Sequence, residues 1–132
     1  MILVDTSVWI DYFRNTKCKE VERLDSLLAS RQPVSICGIV LTEVLAGISS
    51  ESEAAQILDL FGRVITLPIT DKDYLLGAEL YRSARRSGMT VRRVVDCIIA
   101  ACAISNSARL FHRDRDFDTL ARISKLKLFS IN

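Results

Sequence analysis

The sequence predicts an α/β fold in which a parallel sheet is covered by helices on both faces. Three observations carry that expectation. Short apolar runs of strand length alternate along the chain with segments of helical periodicity. These runs are almost wholly apolar rather than alternating, as strands buried on both faces must be. One segment near the end, Cys97 to Ser105, is apolar on every side, which is the pattern of a helix buried at the centre of a domain.

Residues 1–4 form the first expected strand, running straight into Asp5. Ser7 is placed to cap a helix that begins VWIDYFR. Val21, Leu24, Leu27 and Leu28 make a second helical stripe, broken at Arg31-Gln32-Pro33. Residues 34–37 are apolar and β-prone, and a helix containing Leu41 to Ile48 follows at once. Ser50 and Glu53 have capping-box spacing ahead of Ile57, Leu58 and Phe61, with Gly62 as a C-terminal stop. Residues 64–67 make a third strand, ended by Pro68.

Thr70 with Asp73 signals another helix start, and Tyr74, Leu75, Ala78 and Tyr81 are expected to share its apolar face. Asp96 opens the buried helix, residues 108–111 make a fourth strand, and Phe117, Leu120, Ala121 and Ile123 mark a last helix before a closing strand at 126–131. No repeat, low-complexity segment or linker divides the 132 residues, so a single domain over 1–132 is expected.

Composition narrows the function. No apolar run approaches the roughly 20 residues that span a bilayer, and the apolar start lacks a basic flank and is interrupted by Asp5. No membrane role and a cytoplasmic location are therefore the default. Cys18, Cys37, Cys97 and Cys102 show no C-x-x-C pairing and read as reduced, structural thiols. With His112 as the sole imidazole, a zinc cluster is not expected. The net charge is +2, but if four of the 16 acids gather at a metal, the remaining surface carries 18 basic against 12 acidic residues. A surface of that sign attracts nucleic acid, although charge alone fits an ordinary mixed surface better.

Four acids fall where such a fold would gather them. Asp5 follows the first strand, Glu43 lies near the start of the helix after the second, Asp96 opens the buried helix, and Asp114 follows the fourth strand. Each alone has a plain structural reading, since acids favour helix first turns and Asp is a common cap. Together they read differently. Glu43 lies off the stripe of Val40, Leu41, Val44, Leu45 and Ile48, and Asp96 heads a helix where an unpaired charge is costly.

Two carboxylates about 5 Å apart repel by roughly 3 kcal/mol at an effective dielectric of about 20. Protons or a divalent cation must relieve several such pairs. All-carboxylate ligation suits a hard ion, Mg²⁺ or Mn²⁺, with Asp5 and Asp96 as ligands and Glu43 and Asp114 binding directly or through water. An activated water at such an ion attacks phosphodiesters. Ser7 or Thr6 would support a carboxylate from behind.

These residues resemble a known family. The VDTS opening, Glu43 in VLTEVLAG, Asp96 in VVDCIIAACA and the closing LFHRDRDFD are similar to PIN-domain ribonucleases of the VapC toxin type, over essentially the whole chain. The resemblance implies a three-layer α/β/α fold with a five-stranded parallel sheet. It also implies Mg²⁺- or Mn²⁺-dependent cleavage of RNA, inhibition by a small cognate antitoxin, and a two-fold homodimer. Asp5, Glu43, Asp96 and Asp114 match its acidic quartet and Ser7 its supporting hydroxyl. Asp116 fits an acid that often precedes the Phe of the last motif, and either joins the site or caps the final helix, with capping favoured. The family often has Thr where this chain has His112, which here reads either as a general base or RNA contact, or as a satisfied structural residue, the commoner case.

Arg86, Arg92 and Arg93, near the approach to Asp96, are expected RNA phosphate contacts, while Arg82 and Arg85 fit a solvated helix face equally well. Trp9, Ile10, Tyr12 and Phe13 read as packing on the sheet, and the resemblance implies that nearby helices form a groove for an antitoxin segment. Two phosphoryl-transfer folds also place an acid after strand one. A haloacid-dehalogenase-like enzyme wants a second Asp where Ser7 stands, and a receiver domain wants paired acids that this chain lacks. The remaining alternative is a nonenzymatic nucleic-acid-binding or scaffold module that retains the acidic pocket.

Overall fold

The computed structural model describes residues 1–131. Its strands are β1 (Ile2–Val4), β2 (Val34–Cys37), β3 (Ile65–Leu67), β4 (Arg109–Phe111) and β5 (Lys127–Leu128). The helices are α1 (Thr6–Phe13), α2 (Lys19–Ala29), α3 (Gly38–Ala46), α4 (Glu51–Phe61), α5 (Asp71–Arg86), α6 (Val94–Ser105) and α7 (Arg115–Arg122). The sheet order is β3-β2-β1-β4-β5, and every neighbouring pair is parallel. The expected α/β class and five-stranded parallel sheet are both present.

All residues of β1 and β2 are buried. Because successive side chains of a strand point to opposite faces, helices must cover both sides of the sheet centre. Each side chain of Ile2, Leu3 and Val4 then contributes about 1.5–3 kcal/mol by burial, and β1 is the middle strand. The outer strand β3 leaves Ile65 and Thr66 exposed, and β5 is only two residues long, shorter than the expected 126–131. Phe129 still donates its N–H to Leu110 O at 2.8 Å, so pairing runs past the formal strand end.

The α6 segment is buried as expected, with Cys97, Ile99, Ala100, Ala101, Cys102 and Ala103 inside. Its partner α5 turns a different face inward from the one expected. Asp73, Gly77, Leu80 and Ala84 are buried, whereas Tyr74, Leu75 and Ala78 are exposed. The reason is close helix approach: a Cβ on Gly77 would stand 3.0 Å from the Ile98 side chain and 3.2 Å from its backbone. Gly77 and Ala84 therefore join Leu80 on the buried face, Tyr81 is half-buried against the core, and Tyr74 and Leu75 are left outside.

Candidate active site

The chain leaves β1 toward β2 on one side and later returns to β4 on the other, which opens a crevice at the carboxyl ends of β1 and β4. The Asp5 N–H donates to Phe111 O at 2.9 Å, fixing Asp5 beside the end of β4. Asp5, rather than Ser7, is the N-cap of α1, because its carboxylate is already in place to accept the Ser7 N–H at 3.0 Å. The Ser7 hydroxyl donates to the same Asp5 Oδ2 at 2.6 Å and accepts the Arg113 N–H at 3.0 Å. One hydroxyl thus ties the first acid to the loop after β4.

Asp5 is 3% exposed, and its Oδ1 is buried without a hydrogen-bond partner. Burial pushes its pKa up to about 6, against the lowering effect of the Ser7 hydrogen bonds, and the neighbouring Asp96 charge raises it further. An orphaned carboxylate oxygen at that depth is costly and marks a place for a positive ligand or a proton.

Glu43, in the second turn of α3, accepts the Thr6 hydroxyl on Oε1 at 2.7 Å and Arg93 Nη1 on Oε2 at 2.7 Å. Asp96 lies in the first turn of α6, two residues inside the helix rather than at its cap. It is 2% exposed and accepts Arg93 Nη2 at 2.8 Å. Its pKa is pushed up, chiefly by burial, while the Arg93 hydrogen bond and charge pull it down. Arg93 therefore bridges two of the four acids, and its own pKa is raised mainly by its bond to Asp96.

On the β4 side Asp114 caps α7 by accepting the Asp116 N–H at 3.0 Å. The capping role expected of Asp116 thus falls to Asp114, two residues earlier and level with the first free N–H groups of the helix. The Asp116 carboxylate turns inward, 4% exposed, and accepts both the backbone N–H of Arg92 at 3.2 Å and its Nε at 2.9 Å. Arg92 Nη2 also reaches Asp114 at 2.7 Å. Asp96, Asp114 and Asp116 each offer an oxygen within 4.8 Å of the others.

Asp5 stands beside this triad, with Asp96 as the charge it feels, and Glu43 is joined to Asp96 through Arg93. The donor set is all oxygen, with one donor atom left bare, and it fits a hard divalent cation.

His112 Nδ1 accepts the Asp114 N–H at 3.0 Å, and its Nε2 lies 3.3 Å from Asp118. Burial lowers its pKa, while Asp118 and Asp114 oppose that shift. With Nδ1 accepting a backbone N–H, the imidazole braces the loop that carries Asp114. Arg86 is paired with Glu79 at 2.8 Å, and Arg82 shares that partner at 3.8 Å. Trp9 is fully buried and bonds Val4 O through its indole N–H at 3.1 Å. The Arg92 and Arg93 bridges are what the sequence conceals; the only local sign is the i, i+3 spacing of Arg93 and Asp96.

A parallel sheet with acids converging at its switch point defines a class, and the PIN domain family model matches residues 2–123, so the chain belongs to the PIN-domain family. Within it the chain belongs with the VapC ribonucleases. It is 42% identical to VapC ribonuclease Mb1587 of Mycobacterium bovis and to ribonuclease VapC11 of Mycobacterium tuberculosis, over 98% of each chain. Ribonuclease VapC1 of Methanocaldococcus jannaschii is 30% identical over 86% of this chain and 76% of that protein. Among solved structures, VapBC2 from Rickettsia felis bound to a promoter DNA fragment has the same fold, with a TM-score of 0.76 at 23% identity over 98% of both chains.

Proposed function

We propose that this protein is a metal-dependent endoribonuclease, the toxin of a VapBC-type pair, acting in the cytoplasm as a single domain and held inactive by a small cognate antitoxin. One observation carries the chemistry: a deeply buried Asp5 with an orphaned oxygen, set against Asp96 in a cluster of carboxylates at the sheet's switch point. Kinship with proteins named as VapC ribonucleases supplies the substrate class.

Asp5, Asp96 and Asp114 would hold Mg²⁺ or Mn²⁺, with Glu43 and Asp116 at its border. When bound, such an ion neutralises charge developing on a phosphodiester and makes water nucleophilic at neutral pH. The chain's own residues do the positioning. Ser7 fixes the rotamer of Asp5, and Thr6 does the same for Glu43. Arg92 and Arg93 balance the acids and lie within reach of an incoming phosphate.

The opposite, amino end of the sheet has a groove of about 780 Å³ lined by apolar residues such as Leu28, Leu60 and Val64 together with Asp25, Arg31 and Arg63. This suits a helical antitoxin segment laid in a groove. The exposed Tyr74 and Leu75 of α5 suit a two-fold homodimer contact.

The test uses purified protein freed of any partner. It should cut cellular RNA with Mg²⁺ or Mn²⁺ and not with a chelator, and Asp96→Asn should abolish cutting while keeping the fold. Binding of Mn²⁺ with no RNA cleaved would overturn the enzymatic reading in favour of a nonenzymatic binding module. Growth arrest that persists undiminished in cells expressing Asp96→Asn would count equally against it.

A further inference from the structure

The arginines nearest the acids are already engaged, Arg92 with Asp114 and Asp116 and Arg93 with Glu43 and Asp96. The basic residues left over lie one step away. A pocket of about 350 Å³ sits between α7 and the loop before α6, lined by Thr90, Arg92, Arg115, Asp116, Thr119 and Arg122, with Asp118 at its side. Among the described residues, Arg115 and Arg122 form no ion pair and no side-chain hydrogen bond, and neither do the hydroxyls of Thr90 and Thr119.

Two features make this more than a solvated helix face. Arg115 is the first residue of α7, where the helix dipole disfavours a cation, so its charge does nothing for the helix. Asp118 is spaced i+3 from Arg115 and i−4 from Arg122, and would be the natural partner of both. Its carboxylate instead lies 3.3 Å from His112 Nε2. The stripe of 115, 119 and 122 is thereby left with two free guanidinium groups and a free hydroxyl, facing the hydroxyl of Thr90. One wall of the pocket is Asp116, the acid that joins it to the candidate metal cluster.

We propose that this pocket is a phosphate subsite that seats the RNA backbone beside the acidic cluster, with Arg115 and Arg122 as its cationic ligands and Thr90 and Thr119 as hydroxyl donors. The proposal rests on the ribonuclease reading above. Guanidinium groups bind phosphate oxygens in forked pairs, and such contacts set the register of a strand without reading its bases. The Arg92–Asp116 pair stands between the two zones, one for phosphate and one for cation, and its guanidinium offsets the repulsion between substrate and carboxylates.

The experiment uses the Asp96→Asn protein, which would hold RNA uncut, with Mg²⁺ and a labelled short single-stranded RNA over a range of salt concentrations. Arg115→Gln with Arg122→Gln should weaken binding about tenfold or more, and should flatten the slope of log affinity against log salt by about 1.4, the value for two phosphates on a single strand. Arg115→Lys with Arg122→Lys should retain the parent's slope. Affinity and slope unchanged in the Gln pair would overturn the subsite, as would a Lys pair that loses as much slope as the Gln pair. With Asp96 restored, the Gln pair should raise KM for a cleaved RNA by a similar factor. If the parent cleaves RNA and the Gln pair binds it normally, only the subsite falls; if the parent neither binds nor cleaves RNA, the ribonuclease reading falls with it.

Discussion

On the β1 side of the acidic cluster, Asp5 takes two donors from Ser7 on one oxygen and none on the other. On the β4 side Asp116, almost as deeply buried, takes both the backbone and side-chain N–H groups of Arg92. The two carboxylates face the same cost of burial. The β4 side is balanced within the chain by Arg92. The β1 side is incomplete and waits for a proton or a cation. This asymmetry separates residues that build the cluster from the one whose charge state reports on what enters it.

The comparison is most strongly tested by Asp5→Asn, which keeps the hydrogen-bond acceptor for Ser7 but not the charge. RNA cleavage should fall by about a thousandfold or more in a metal-dependent assay. Cleavage near the parent rate would show that the bare oxygen has no part in the chemistry.

The next effect is on stability against pH in the absence of metal. Asp5 has its pKa raised by burial to about 6. The folded chain keeps a proton there that the unfolded chain gives up near the ordinary carboxylate value of about 4. The stability linked to Asp5 is therefore complete below about pH 4 and is lost as pH rises through about 6, a total of about 3 kcal/mol. Denaturant melts in a chelator should show this decline, and Asp5→Asn should remove it and be the more stable protein at pH 7.5. Saturating Mn²⁺ should restore the parent by mass action.

Arg93→Gln comes next. It leaves Asp96 and Glu43 without their bridge and should lower metal-free stability by about 1–2 kcal/mol, held down by screening because the guanidinium is half exposed. The same change should tighten Mn²⁺ binding, measured by titration calorimetry, since a competing cation has gone. Weaker Mn²⁺ binding would show that Arg93 helps to hold the ion rather than standing in for it. The smallest effect is expected for His112→Thr, which should change cleavage by less than about threefold, because the imidazole serves the backbone of Asp114.

Much of this arrangement is legible in the sequence. The strands show because burial on both faces needs unbroken apolar runs, and Asp5, Glu43, Asp96 and Asp114 show because an acid directly after such a run, or heading an apolar helix, has few reasons to be there. What is concealed depends on how elements meet. The inward face of α5 is set by the close approach of Gly77 to Ile98, which periodicity reads as a gap in the stripe. Asp116 looks like a cap because it follows a turn, yet the cap position had already gone to Asp114. Arg92 and Arg93 look like free cations, and only the packing of the loop before α6 against α3 and α7 reveals that their partners are the acids themselves.

The central position of β1 has a consequence for the order in which the protein comes into being. Ile2 pairs with Val34 on one side early in the chain, but its other neighbour is Arg109. Strand β1 is thus half-clad until β4 arrives, and the loop closed by that pairing runs from Ile2 to Arg109. The ends of β1 and β4, which carry Asp5 and lead to Asp114, come together only through that pairing. A chain in which β1 has not met β4, however much of its helical structure has formed, lacks a complete set of converged carboxylates.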